Sequence, residues 1–114
     1  MINNDRHLLL EVLAELESEL KTQQYWQANS PDPDLFVSEM PFYMDKMNGY
    51  EWLQWVFIPK FKDNLMQNQP IVAFAIYPYF EEVLKKEEKD QTLHQIIQKL
   101  DKLVEKYSKK SSYI

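Results

Sequence analysis

The segment from Gly49 to Leu65 is the feature that most constrains how this chain of 114 residues can fold. Its apolar side chains are Trp52, Leu53, Trp55, Val56, Phe57, Ile58, Phe61 and Leu65. On a helix they leave only a narrow polar strip, and a helix that is apolar on nearly every side must be covered by other elements. The segment therefore predicts a central helix, over about residues 50–66, inside the core of a small domain.

Pro59 lies within this predicted helix. Because proline has no amide N–H, it leaves the carbonyl of Trp55 without a helical partner and is expected to bend the helix. Trp52 and Trp55 are three residues apart and so share one face. We expect that face to be the centre of the core, so that Trp55→Ala costs about 3 to 5 kcal/mol.

Apolar spacing predicts three more helices. The first runs over about residues 4–23, a short third helix begins at Pro78 and continues to about Lys86, and Asp90 caps the last one. The stripes that predict the first and last helices are Leu9, Val12, Leu13, Leu16 and Leu20, and then Leu93, Ile96, Ile97, Leu100, Leu103, Val104 and Tyr107. We therefore predict an all-α fold: a small antiparallel four-helix bundle with one long apolar loop.

The segment IVAFAIY, residues 71–77, also has the composition of a β-strand. It has no partner strand with period-two alternation, and an isolated strand cannot satisfy its backbone groups. We therefore do not include a sheet in the predicted fold.

Composition excludes several classes of function. With no cysteine and one glycine, the chain has no thiolate metal site, no cysteine nucleophile and no phosphate-binding glycine loop. The formal net charge of −5 argues against direct contact with nucleic acid. His7 and His94 show no metal-ligand spacing, and the carboxylate runs are typical of solvated helix faces. We expect no cofactor and no metal.

The chain length fits a single domain over residues 1–114, with a flexible tail from about 108 to 114. The first residues have acids within their apolar run, which is unlike a secretory signal, and no stretch approaches the length of a membrane span. We expect a cytoplasmic protein that is a monomer or a weak dimer.

Between Asp34 and Asn48 no helical or strand period is sustained, yet the segment is rich in apolar and aromatic residues. Long connections without regular structure are uncommon in compact domains and are often functional. Methionine and aromatic side chains form adaptable contact surfaces. We predict that the loop from Met40 to Met47 is either core or a docking surface for a protein partner, through Phe42, Tyr43, Met44 and Met47.

Asp45 is a lone acid in this apolar loop. Burial could change its pKa, although it could equally cap the next helix or pair with a lysine. A second hypothesis is therefore a small enzyme or ligand-binding protein whose site lies between the helices around Asp45, Glu51 and Tyr79. A deep pocket with convergent polar groups would favour this second hypothesis, and an exposed apolar patch would favour docking.

The same region resembles the YqcC-like family of small bacterial proteins. The resemblance is carried by Pro41-Phe42-Tyr43-Met44-Asp45, by Met47, by Glu51-Trp52-Leu53-Gln54-Trp55-Val56 and by Ile58-Pro59, and again by QPIVAFAIYPYFEE at residues 69–82. Met40 and Lys60 stand where the family usually has glutamine and arginine.

The resemblance implies a helical-bundle fold and an association with tRNA pseudouridine synthase C, beside which the family is typically encoded. Those synthases use an aspartate nucleophile in a mixed α/β catalytic domain with a basic RNA cleft. This chain, by contrast, is short, acidic and predicted to be helical. We therefore expect a noncatalytic interaction module, accessory to the synthase in tRNA modification, rather than an enzyme. Its predicted binding residues are Phe42, Tyr43, Met44, Asp45, Met47, Glu51, Gln54 and Tyr79.

Overall fold

The computed structural model describes residues 4–37, 46–83 and 90–111. Helix α1 is Asn4–Thr22, and a short 3-10 turn covers Pro33–Phe36. Helix α2, Gly49–Trp52, continues through a π-helical turn, Leu53–Phe57, into α3, Ile58–Met66. Helices α4, Tyr77–Val83, and α5, Gln91–Ser111, complete the order. These described ranges contain no strand, so the all-helical prediction is confirmed, and α5 extends into the first part of the predicted tail.

The core is built from α1, the composite helix of α2 and α3, α4 and α5. On the composite helix the buried stripe consists of Leu53, Phe57, Phe61 and Leu65, four residues apart. Phe80 of α4 is fully buried, and its ring lies 6.1 Å from that of Trp52. Most of the other large buried side chains come from the predicted apolar stripes of α1 and α5, and the rest are Ile58, Ile71 and Ile76.

The prediction that Trp52 and Trp55 form the centre of the core is wrong. Both side chains are only partly buried, and Trp52 packs against the core cluster from its edge. The indole N–H of Trp55 donates to Gln27 Oε1 at 2.7 Å, which directs this ring towards the chain that follows α1. The central position belongs instead to Leu53, which is fully buried.

The π-helical turn is how the helix accommodates Pro59. The proline occupies the first turn of α3, where a missing N–H is tolerated. Just before it, the N–H of Ile58 donates to the carbonyl of Leu53, five residues earlier. Such a turn contains more residues than an α-helical turn. Leu53 and Phe57, four residues apart, share the buried face across this turn, whereas Trp55 is two residues from each and lies on the opposite side of the helix.

A capping box fixes the start of the composite helix at Asn48. The Asn48 side chain accepts the N–H of Glu51 at 2.8 Å, and the Glu51 carboxylate accepts the N–H of Asn48 at 3.1 Å. Two amides that a helix would leave unpaired are thereby satisfied.

Asp101 of α5 fixes the start of α4. Its carboxylate accepts the N–H groups of Ile76 and Tyr77 at 3.1 and 2.8 Å. Burial raises the pKa of Asp101, and these two hydrogen bonds oppose that shift. The described helices include none that is long and apolar enough to cross a membrane.

Candidate functional site

The residues that the sequence marks most strongly, Glu51 to Trp55, surround Gln27. The Gln54 side chain accepts the N–H of Gln27 and donates to its carbonyl, both at 2.8 Å. The Gln27 side chain donates to Glu51 Oε2 at 3.3 Å and accepts the Trp55 indole N–H at 2.7 Å. Four hydrogen bonds thus join one residue after α1 to three residues of the motif, an arrangement named here the Gln27 clamp.

A second polar cluster lies where α1, α2 and α5 meet. The Tyr25 and Tyr50 rings stack with centroids 3.7 Å apart. Their hydroxyls donate to the two carboxylate oxygens of Asp90, at 2.9 and 3.0 Å. Asp90 is 1% exposed, so these hydroxyls replace water around a buried carboxylate. The cluster ties together three points that are distant in the sequence.

The pKa of Tyr50 is raised far above its ordinary value of 10.0, first by burial and then by its contacts with Tyr25 and Asp90. The folded state therefore keeps the Tyr50 proton at pH values where the unfolded chain releases it. The stabilisation from neutral Tyr50 is complete below about pH 10 and is lost as the pH rises further.

We expect Tyr50→Phe to destabilise the protein at pH 7, where it removes one hydrogen bond to Asp90, and to do so less and less above pH 10. Urea unfolding of both proteins between pH 7 and about pH 11 measures the difference. A difference that stays constant across that range would show that Tyr50 ionises equally easily in both states.

The structure separates the predicted binding residues into three groups. Phe42, Tyr43, Met44 and Asp45 lie outside the described residues. Met47 and Gln54 are buried, which differs from the exposed contacts expected of a docking surface. Glu51 and Tyr79 are half-buried.

Within the described part of the chain, Glu51 and Tyr79 contact other protein side chains. Glu51 is held by the capping box and by Gln27. The Tyr79 ring packs edge-on against Phe80 at 5.0 Å, and burial raises the pKa of its hydroxyl. Neither side chain lines any of the four surface cavities found among the described residues.

The described ranges hold no group of three or more histidine and acidic side chains that could bind a metal ion. His94 is buried with its ring edge-on to Tyr77 at 5.6 Å, and His7 is exposed.

Sequence reasoning missed Gln27, Tyr25 and the two hydrogen bonds that Asp90 accepts from tyrosines. Tyr25 directly follows the first helix in the sequence without a pattern that selects it, and Gln27 carries no local signal. The sequence signal for these contacts was the presence of Glu51, Gln54 and Trp55 on a mostly apolar helix. Their polar atoms need hydrogen-bond partners. Those partners come from the chain just after α1.

A family model described as tRNA pseudouridine synthase C matches residues 8–103. The chain belongs to this family. The uncharacterized protein YqcC of Escherichia coli K12 is 42% identical over 92 residues, which cover 80% of this chain and 83% of that protein. The solution NMR structure of YqcC from E. coli matches with a TM-score of 0.82 and 36% identity over 92% of each chain. The YqcC-like resemblance is confirmed.

A third match is to a protein that is named as an enzyme. The tRNA pseudouridine synthase C of Pectobacterium carotovorum subsp. carotovorum is 42% identical over 48 residues. These residues are 42% of this chain but only 13% of that protein. The similarity therefore covers a small segment of the Pectobacterium protein.

Proposed function

We propose that this chain is a noncatalytic, cytoplasmic protein-interaction module, accessory to tRNA pseudouridine synthase C. In this proposal the module is an antiparallel four-helix bundle that docks on the synthase through the loop of residues 40–47, in which Met47 itself is buried, and does not itself contact RNA. The observation that carries the proposal is Val37, whose side chain is 73% exposed. It is the last described residue before a segment in which Phe42, Tyr43 and Met44 are consecutive in the sequence, and exposed apolar side chains are typical of interaction surfaces.

The hydrogen bonds of the motif support docking over a ligand site. Gln54 and Trp55 direct their polar atoms to Gln27, and the Glu51 carboxylate bonds to both Asn48 and Gln27. A ligand would have to replace these internal partners, at the cost of leaving polar groups unpaired. The motif is better suited to holding the start of the composite helix in place.

The Pectobacterium match supports the choice of partner. A segment similar to this chain lies within a polypeptide that carries the name of the synthase. Two domains of one polypeptide are held at a high effective concentration relative to each other. When two cooperating domains are separate chains, they need a docking surface to stay together. The net charge of −5 fits a role in which the synthase, rather than this chain, holds the RNA.

Calorimetric titration of purified tRNA pseudouridine synthase C with the double variant Phe42→Ser/Met44→Ser tests the proposal. Because a few buried apolar side chains provide most of an interface's affinity, we expect the variant to bind at least about tenfold more weakly than the parent. Its melting temperature should change little. The matched control is Met66→Ser/Val72→Ser, which removes two exposed apolar side chains elsewhere and should leave the affinity unchanged.

Two results would contradict the proposal. If the parent does not bind the synthase at all, the choice of partner is wrong. If the variant melts at a much lower temperature but binds as tightly as the parent, residues 42 and 44 are core residues and the docking surface lies elsewhere.

A further inference from the structure

Asn48, which caps the composite helix, directly precedes Gly49, the single glycine of the chain. In an asparagine that is followed by glycine, the backbone nitrogen of the glycine can attack the side-chain amide, because glycine has no Cβ to obstruct ring closure. No other asparagine in the sequence is followed by glycine. Asn48 is therefore the residue of this chain that is chemically most prone to deamidation.

The surroundings of Asn48 expose its amide but also restrain it. Asn48 is exposed, so water can enter and ammonia can leave, whereas Gly49 is buried. Asn48 Oδ1 accepts the N–H of Glu51 at 2.8 Å, which fixes the orientation of the amide. The Glu51 carboxylate accepts the Asn48 N–H at 3.1 Å, and the Asn48 backbone is extended, with a ψ of 172°. Ring closure requires both Cγ and ψ to move, so the two hydrogen bonds oppose the reaction.

We propose that Asn48 is a site of spontaneous deamidation and that the capping box sets the rate of this reaction. The Gly49 nitrogen loses its proton and forms a bond with Asn48 Cγ. The Cγ–Nδ2 bond breaks, and the leaving amine takes up a proton from solvent and departs as ammonia. One water then opens the resulting succinimide, at one carbonyl to give aspartate or at the other to give isoaspartate.

The two products differ in their effect on the start of the composite helix. Aspartate at position 48 still caps the helix with a carboxylate. Isoaspartate places an additional methylene in the backbone, which changes the spacing between the capping group and the Glu51 N–H. Because Glu51 also contacts Gln27, isoaspartate at this position should loosen the Gln27 clamp.

The rate in the folded protein follows from how often the cap opens. It equals the rate in the unfolded chain multiplied by the fraction of molecules in which the Asn48 amide is released. A variant that weakens the capping box raises this fraction, and a variant that keeps the box does not. The inference uses only the described residues around the capping box and does not rest on the proposed function.

Peptide mapping by mass spectrometry, after incubation of the folded protein at neutral pH, measures deamidation at Asn48. We expect Glu51→Ala to react about threefold to tenfold faster than the parent, because it removes one hydrogen bond of the capping box and loosens the other. Glu51→Gln keeps an oxygen that can accept the Asn48 N–H, so its rate should stay close to that of the parent. The matched control is Glu19→Ala, which removes another half-buried glutamate that holds a glutamine, and it should leave the rate unchanged.

The parent unfolded in guanidinium chloride gives a second readout that needs no variant. There we expect Asn48 to deamidate at least about tenfold faster than in the folded protein. The rate should also rise with pH, because the attacking nitrogen must lose a proton. An Asn48 that stays unmodified in the unfolded chain would overturn the assignment of the site. Equal rates in the folded and unfolded parent, or in Glu51→Ala and the parent, would overturn control by the capping box.

Discussion

Replacing Leu53 by alanine is expected to lower the free energy of unfolding by about 3 to 5 kcal/mol, and Trp55→Ala by only about 1 to 2 kcal/mol. Leu53 is the smaller side chain, but it is fully buried within the core cluster, so its removal leaves a cavity. Trp55 is half-buried, and water can fill the space that it leaves. Urea unfolding of the two variants at pH 7 measures both values.

Leu53→Met is the matched control, since it keeps the volume of the side chain and should cost less than about 1.5 kcal/mol. A larger loss for Trp55→Ala than for Leu53→Ala would contradict the observed stripe and would restore the tryptophan face as the centre of the core.

Replacing Gln54 by leucine is expected to lower the free energy of unfolding by about 2 to 4 kcal/mol, although leucine has a similar size and is more apolar. The substitution removes both hydrogen bonds to the Gln27 backbone and leaves its N–H and C=O unpaired beside the core. Thermal and urea unfolding of the variant measure this loss of unfolding free energy.

Trp55→Phe is the control for Gln54→Leu, because it removes one hydrogen bond of the same clamp while keeping an aromatic ring. Its cost should be about 1 kcal/mol. If Gln54→Leu is as stable as the parent, water satisfies the Gln27 backbone and the clamp does not hold the chain after α1.

The helices could be predicted from the sequence because each depends on neighbours within a few residues. The stripes of α1 and α5 follow the helical period, and Asn48 lies three residues before Glu51, as a capping box requires. The absence of pairing at residues 71–75 was also predictable, since no second strand pattern accompanies them.

The clamp could not be predicted, because its partners are far apart in the sequence. Gln27 and Gln54 are 27 residues apart, and Tyr25 and Asp90 are 65 apart. Nothing local marks a glutamine or a tyrosine as the partner of one distant side chain. The buried stripe was misplaced for a different reason: on a helix that is apolar nearly all round, the pattern of apolar residues does not distinguish the face of Trp52 and Trp55 from the face of Leu53 and Phe57.

The predicted binding residues and the observed polar contacts overlap at Glu51 and Gln54. The sequence predicted both as binding residues, and in the structure both side chains form hydrogen bonds with Gln27. Docking through Phe42 and Met44 stays a prediction, since both lie outside the described residues.

Hydrogen exchange at the Gln27 amide tests most directly the claim that the motif is an internal clamp. This N–H lies outside any helix, and its partner is the Gln54 side chain. The account predicts that Gln27 exchanges as slowly as amides inside the helices, while exposed Ala28 exchanges quickly, and that Gln54→Leu removes the protection at Gln27. Exchange at Gln27 as fast as at Ala28 in the parent would contradict the account.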